Sequence, residues 1–185
     1  VLAKTRNEMS ITDLAPYAGD AIEASPIQDI HIFGRRGPIE GAFTNVELRE
    51  MGHLENCAPI LDAAQLPDKV VAPQMSERDL RLRTKNVETL RSFLDVSPKG
   101  KDKRLHFKFF ASPVEVLGED RVEGLRLEHT RVEDGRCVPT GETFEIACGM
   151  LITCVGSRAE PIDGVPFDDR RGIVVHHEGQ IRPGL

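Results

Sequence analysis

Ile27-Gln-Asp-Ile-His-Ile-Phe-Gly-Arg-Arg-Gly-Pro38 is the stretch that decides the fold. The run Ile30 to Phe33 is too short for a helix and rich in β-branched and aromatic residues, which predicts a buried strand. Gly34 ends the run, Arg35 and Arg36 follow, and Gly37-Pro38 turns the chain. In a doubly wound nucleotide-binding sheet, the tip of the second strand lies beside the adenosine ribose. An acidic residue there hydrogen-bonds the free 2′-hydroxyl of NAD, whereas arginine accommodates the 2′-phosphate of NADP. Two adjacent guanidiniums offer planar, permanently charged forks for a phosphate dianion. The doublet alone also matches a solvated basic turn.

Working outward, 185 residues hold one substantial core, or one domain with extensions. Hydrophobic content of 39% and charged content of 29% are those of a soluble globular chain. No stretch reaches the ~20 apolar residues that span a bilayer, and no basic-apolar leader opens the chain. The start at Val1 rather than Met fits an excised segment. A net charge of −6 argues against nucleic acid as the main partner. Cys57, Cys137, Cys148 and Cys154 are widely spaced with no Cys-x-x-Cys, which argues against zinc and a redox disulfide. They read as reduced thiols in a cytosol-like compartment, with Cys148 and Cys154 packed near a strand. His176-His177 lacks a ligand set with metal spacing and reads as a surface pair.

Before the deciding stretch, Thr12-Asp13 is placed to cap a helix carrying Leu14, Ala18, Ala21 and Ile22, ended by Ser25-Pro26. After it, Thr44-Asn-Val-Glu47 reads as a capping box opening a helix to Met51, with Gly52 as its stop. Arg49 on that helix is expected to be exposed. A short strand is expected near Ala58–Leu61. Ser76 then caps the longest helix, to about Val96, with Leu80, Val87, Leu90 and Leu94 as its apolar stripe. Arg78, Arg81, Arg83, Lys85 and Arg91 decorate it, and Lys99-Gly-Lys-Asp-Lys-Arg104 continues the basic character. On an acidic chain this reads either as a solvated face or as a surface that steers an acidic protein partner.

Residues 105–155 read as strands. Leu105, Phe107 and Phe109 alternate with His106, Lys108 and Phe110. Val114–Leu117 and Val122–Val132 flank a hairpin signal, a third strand is expected near Thr143–Ile146, and Met150–Val155 reads as a buried strand ending at Gly156. The layout is parallel strand, antiparallel three-stranded insert, parallel strand. No Gly-x-Gly-x-x-Gly/Ala is present, so the helix N-terminus that cradles a pyrophosphate is missing from this sequence.

The stretch Arg35 to Met51 closely resembles the NADP domain of the adrenodoxin-reductase family, the ferredoxin–NADP reductases of the glutathione-reductase superfamily. Phe107-Lys-Phe-Phe-Ala-Ser-Pro113, Val138-Pro-Thr-Gly141, Ile152-Thr-Cys-Val-Gly156 and Pro161-Ile-Asp-Gly-Val-Pro-Phe-Asp168 extend the likeness over essentially the whole chain. The family pattern has an aromatic residue after the Gly of the Val-Gly turn, where this chain has Ser157.

The resemblance implies an α/β, doubly wound Rossmann-like domain over 1–156, lacking its first strand and Gly-rich turn, and a return segment toward an FAD domain over 157–185. It implies an FAD enzyme moving electrons between NADPH and a ferredoxin-like carrier, cytoplasmic or in the mitochondrial matrix, with this chain inactive by itself. Arg35 and Arg36 would hold the 2′-phosphate. Glu47 would contact cofactor as well as cap its helix. Arg49, with Arg78, Arg81 and Arg83, would dock the acidic iron–sulfur protein. No catalytic residue is assigned. Two other readings stay open: an NADPH-oxidising module like the small subunit of glutamate synthase, and a non-catalytic interaction module. In the expected sheet order the absent strand lies between Ile30–Phe33 and Leu105–Phe110. The slot it leaves would close by direct pairing of those strands or, as the favoured outcome, by a homodimer.

Overall fold

The computed structural model describes residues 1–71, 75–156 and 158–181. The chain divides into two compact units, Val1–Gly149 and Met150–Leu185.

The first unit is built on a parallel sheet of β1 (Asp29–Gly34), β2 (Cys57–Leu61) and β3 (Lys103–Phe109), in the order β1-β3-β2. β1 runs beside β3 from Asp29 opposite Arg104 to Gly34 opposite Phe109. The slot expected between these two strands is therefore absent, and they close each other's rows of donors and acceptors directly. With those rows filled, nothing between them calls for a second copy of the chain. Of the two expected outcomes, direct pairing, the less favoured one, is what these strands adopt.

Period-two alternation sends Leu105, Phe107 and Phe109 to one face, where each is at most 5% exposed. Two helices cover that face: α3 (Asn45–Met51), through fully buried Leu48, and α4 (Glu77–Ser92), through Leu90. Thr44 caps α3 by accepting from the Glu47 amide, and Ser76 caps α4 by accepting from the Asp79 amide. A 3-10 turn follows α4 at Phe93–Asp95, and it buries Phe93 and leaves Leu94 43% exposed. Leu94 is thus not part of the apolar stripe. The tighter turn shifts the facing residue by one.

Two N-terminal helices precede the sheet. α1 (Arg6–Met9) carries a full capping box between Thr5 and Glu8, which the sequence reading did not single out. α2 runs Pro16–Glu23 without a side-chain cap. The expected cap at Thr12-Asp13 is displaced because Pro16 occupies the first turn and forces Ala15 out of the helical region (φ −57°, ψ 136°).

The second sheet is antiparallel, β4 (Ala111–Leu117), β5 (Gly124–Glu133) and β6 (Arg136–Ala147) in that order. β6 begins well before the expected Thr143. The β5–β6 hairpin turns through Asp134 (φ 49°) and Gly135 (φ 74°), between paired Glu133 and Arg136. Positive φ at both central residues is the hairpin turn that Asp-Gly favours. Leu125 and Leu127 are the buried centre of this sheet, and Phe33, Phe144, Ile146 and Cys148 pack on them.

In the second unit, 150–155 form no strand. Met150 is 57% exposed, Ile152 61% and Val155 95%. The expected buried strand is corrected: among the described residues no strand pairs with this run, and an apolar run without a ladder partner has nothing to bury against. Cys154 is accordingly exposed, not packed near a strand, whereas Cys148 is partly buried; all four thiols are free. Among its described residues, the unit has a two-stranded ladder, β7 (Phe167–Asp168) and β8 (Ile173–Val174), and an isolated bridge between His177 and Gln180. Ser157 lies outside the described residues. No helix among the described residues is long and apolar enough to cross a membrane.

Candidate functional site

In open α/β sheets ligands lie beyond the carboxyl ends of the strands. Arg35 and Arg36 follow β1 at that end, on a bend, before Gly37 and Pro38, which are both buried. The Arg35 side chain is exposed and that of Arg36 half-buried. The main chain beneath them is held by residues distant in sequence. The Arg35 carbonyl accepts from Thr130 Oγ1 at 2.8 Å and from Cys137 Sγ at 3.0 Å. The Arg36 carbonyl accepts from the Phe110 amide at 3.2 Å, and the Arg36 guanidinium donates to the Gly135 carbonyl at 3.4 Å. Gly37 sits against the Phe110 ring, where an added Cβ would lie 2.9 Å from Cζ. Arg35 thus presents its charge to solvent from a fixed backbone, while the half-buried Arg36 also rests its guanidinium on the Gly135 carbonyl.

Glu47 is exposed in the first turn of α3, and its carboxylate accepts from the Thr44 hydroxyl. Among the described residues no hydrogen bond or ion pair links it to Arg35 or Arg36. Arg49 is exposed in the last turn of α3, where a cation complements the helix C-terminus. Arg78 and Arg81 are exposed on α4.

Arg83 differs. It is half-buried and donates to the Gly41 carbonyl, so it holds the loop after the doublet. Other cations of the basic stretch are also engaged: Arg91 donates to the Pro67 carbonyl, Lys101 to those of Leu54 and Cys57, and Lys103 to that of Leu2. The basic run is therefore neither wholly solvated nor wholly available to a partner.

A second constellation was missed in sequence. On the sheet face opposite the helices, Asp29 accepts from Arg104 Nε and Nη2 at 2.7 and 2.8 Å and lies 2.7 Å from His106 Nε2. Those hydrogen bonds from Arg104 and His106 hold the Asp29 carboxyl well below the usual carboxylate range. His31 stacks on His106 with centroids 4.5 Å apart, and its buried Nδ1 has no hydrogen-bond partner among the described residues. Burial, helped by His106 and Lys108, lowers the His31 pKa. A cleft of about 350 Å³ opens along this face, lined by Ile60, Gln65, His106, Lys108, His129 and Phe144. The signal was available as Asp-x-His in one strand and Arg-x-His in another, but only their register joins them. Among the described residues no group of three His, Cys, Asp or Glu is placed to hold a metal ion.

No family model matches the chain. It is 31% identical over 186 residues to NADPH-ferredoxin reductase FprA of Mycobacterium tuberculosis, covering 98% of this chain and 40% of that protein. It is 36% identical over 206 residues to mitochondrial NADPH:adrenodoxin oxidoreductase of Rattus norvegicus, covering all of this chain and 40% of that one. A solved structure of M. tuberculosis FprA in complex with NADPH superimposes with a TM-score of 0.81 at 31% identity, over 98% of this chain and 41% of that chain. The chain is adrenodoxin-reductase-like along nearly all of its length, and it spans about two fifths of the curated relatives it matches.

Proposed function

We propose that this chain is the NADP-binding segment of an FAD-dependent ferredoxin–NADP reductase that passes electrons between NADPH and a ferredoxin-like iron–sulfur protein. One observation carries the reading. The arginine doublet stands at the carboxyl end of β1 with its main chain anchored, in a chain that resembles NADPH-named reductases throughout. Arg35 and Arg36 are assigned to the 2′-phosphate, whose two negative charges suit paired guanidiniums. Glu47 is assigned to cofactor contact while it caps α3. The finer fold description is a doubly wound domain over 1–156 with β4–β6 as its antiparallel insert, followed by a return segment over 157–185. Its first strand and Gly-rich turn are not among these residues.

Flavin supplies, when bound, the conversion of a hydride pair into single electrons. The flavin is assigned mostly outside this chain. This chain's share is to select the phosphorylated dinucleotide and to present a docking face. Arg49, Arg78, Arg81 and Arg83 are assigned to that face, Arg83 with one nitrogen donating to the Gly41 carbonyl and its remaining donors and charge available. Exposed cations of this kind act on association rate and are screened over ~8–10 Å by salt.

Titration of NADP and NAD against an Arg35→Ala/Arg36→Ala variant tests the reading. Charge-assisted hydrogen bonds are worth ~1.5–3 kcal/mol each, so NADP affinity should fall at least about tenfold while NAD affinity holds. Equal losses for both dinucleotides would overturn it.

A further inference from the structure

We propose that the antiparallel sheet positions the arginine doublet, with Thr130 and Cys137 as positioning residues for recognition of a 2′-phosphorylated adenosine. The proposal rests on reading Arg35 and Arg36 as the ligands of that phosphate. Neither Thr130 nor Cys137 contacts the phosphate in this scheme; both act on the Arg35 backbone.

Thr130 is only 7% exposed. A buried hydroxyl needs a partner, and this one reaches across 95 residues of sequence to the Arg35 carbonyl at 2.8 Å. Cys137, on the neighbouring strand, brings a second donor to the same oxygen at 3.0 Å. A carbonyl has two lone pairs, and both donors come from the β5–β6 hairpin.

One residue further on, the same sheet is reached again. Phe110 links β3 to β4 with φ 56°, a left-handed conformation that is uncommon for a bulky side chain. The Phe110 amide donates to the Arg36 carbonyl at 3.2 Å, and its own carbonyl accepts from the Thr130 amide at 2.9 Å. Backbone in so sparsely populated a region persists only where its surroundings hold it, and such positions cluster at functional sites. The Phe110 ring then closes against Gly37, the next residue of the turn. Residues 35, 36 and 37 are thus each fixed by the sheet or by the corner leading into it.

What this arrangement leaves unfixed is equally informative. The anchors on Arg35 act on its backbone, and the Arg35 side chain remains exposed. Two adjacent guanidiniums repel each other, so an unbraced bend would spread them before a phosphate arrived. A fixed bend orders the fork beforehand, and preorganisation of this kind lowers the ordering cost at binding.

The test uses the full chain with 2′,5′-ADP and 5′-AMP as probes, measured by calorimetry. Wild type should prefer 2′,5′-ADP. Thr130→Val/Cys137→Ala should lose about 3- to 10-fold in affinity for 2′,5′-ADP, with 5′-AMP changed by less than about 2-fold. Thr130→Ser, which keeps the hydroxyl, should restore the preference in the Cys137→Ala background. Cys137 is only half-buried, so Cys137→Ala alone supplies a well-folded arm, with a smaller loss in the same direction. A wild-type chain without preference for 2′,5′-ADP would overturn the phosphate reading itself. A wild-type preference that survives unchanged in the double variant would overturn the positioning role alone. Parallel losses for both probes, or no rescue by serine, would also overturn it.

Discussion

The two faces of the parallel sheet come from the same strands in the same register, yet they carry opposite chemistry. One face sets Leu105, Phe107 and Phe109 against α3 and α4 and is dry. The other sets Asp29, His31, Arg104 and His106 side by side and is titratable. The alternation of side chains along a strand makes this division, and a helix layer on one side fixes which set is buried. Stability and pH response should therefore be separable by substitution at positions of β1 and β3 that point to opposite faces.

The largest effect should come from the dry face. Phe107 is 2% exposed, at the centre of the core, with its ring 5.4 Å from that of Phe93 and 6.2 Å from that of Phe43. Phe107→Ala should cost about 3–5 kcal/mol in urea-induced unfolding, because it removes a large buried side chain and leaves a cavity. The loss should be the same at pH 7.5 and 5.5. A loss under ~1 kcal/mol would show that the helices do not seal this face.

How much of this was legible in sequence depended on the range of the signal. β1, the Thr44 and Ser76 caps and the Leu105–Phe109 alternation are local patterns, and they stand where the residues place them, except that β1 is an edge strand and only half-buried where a buried one was expected, because burial depends on a neighbour on each side. Met150–Val155 has the composition of a buried strand, but a strand also needs a neighbour, and composition does not supply one. The doublet was legible as charge, whereas its anchors at Thr130 and Cys137 lie 95 and 102 residues away. Likewise nothing in Phe109-Phe110 announces which of the two phenylalanines turns left-handed.

A smaller effect is expected from Asp29→Asn. The pair with Arg104 is substantially exposed, and ion pairs in that setting contribute little at neutral pH. Its signature is in the pH profile. A carboxyl lowered from 3.8 by Arg104 and His106 contributes stability that is present above pH 3.8 and is lost as pH falls through the folded value. Asp29→Asn should flatten the acid limb of melting temperature below about pH 4. An unchanged acid limb would show that the contacts of Asp29 do not persist in solution.

His31 should give the smallest effect and the sharpest contrast with Phe107. Its pKa is lowered from 6.5, first by burial, then by His106 and Lys108, with Asp29 opposing. The unfolded chain therefore binds a proton at a pH where folded His31 stays neutral. The stability this supplies is full above pH 6.5 and declines as pH falls through 6.5 toward the lower folded value. His31→Phe keeps a ring to stack on His106 and Phe33 while it removes both the titration and the buried Nδ1 that has no partner among the described residues. Its melting temperature should decline less than wild type between pH 7.5 and 5.5, and it should equal or exceed wild type at the acid end. Phe107→Ala should leave that slope untouched. Parallel slopes for wild type and His31→Phe would mean that His31 titrates alike folded and unfolded, and the separation of a dry face from a titrating one would fail at its centre.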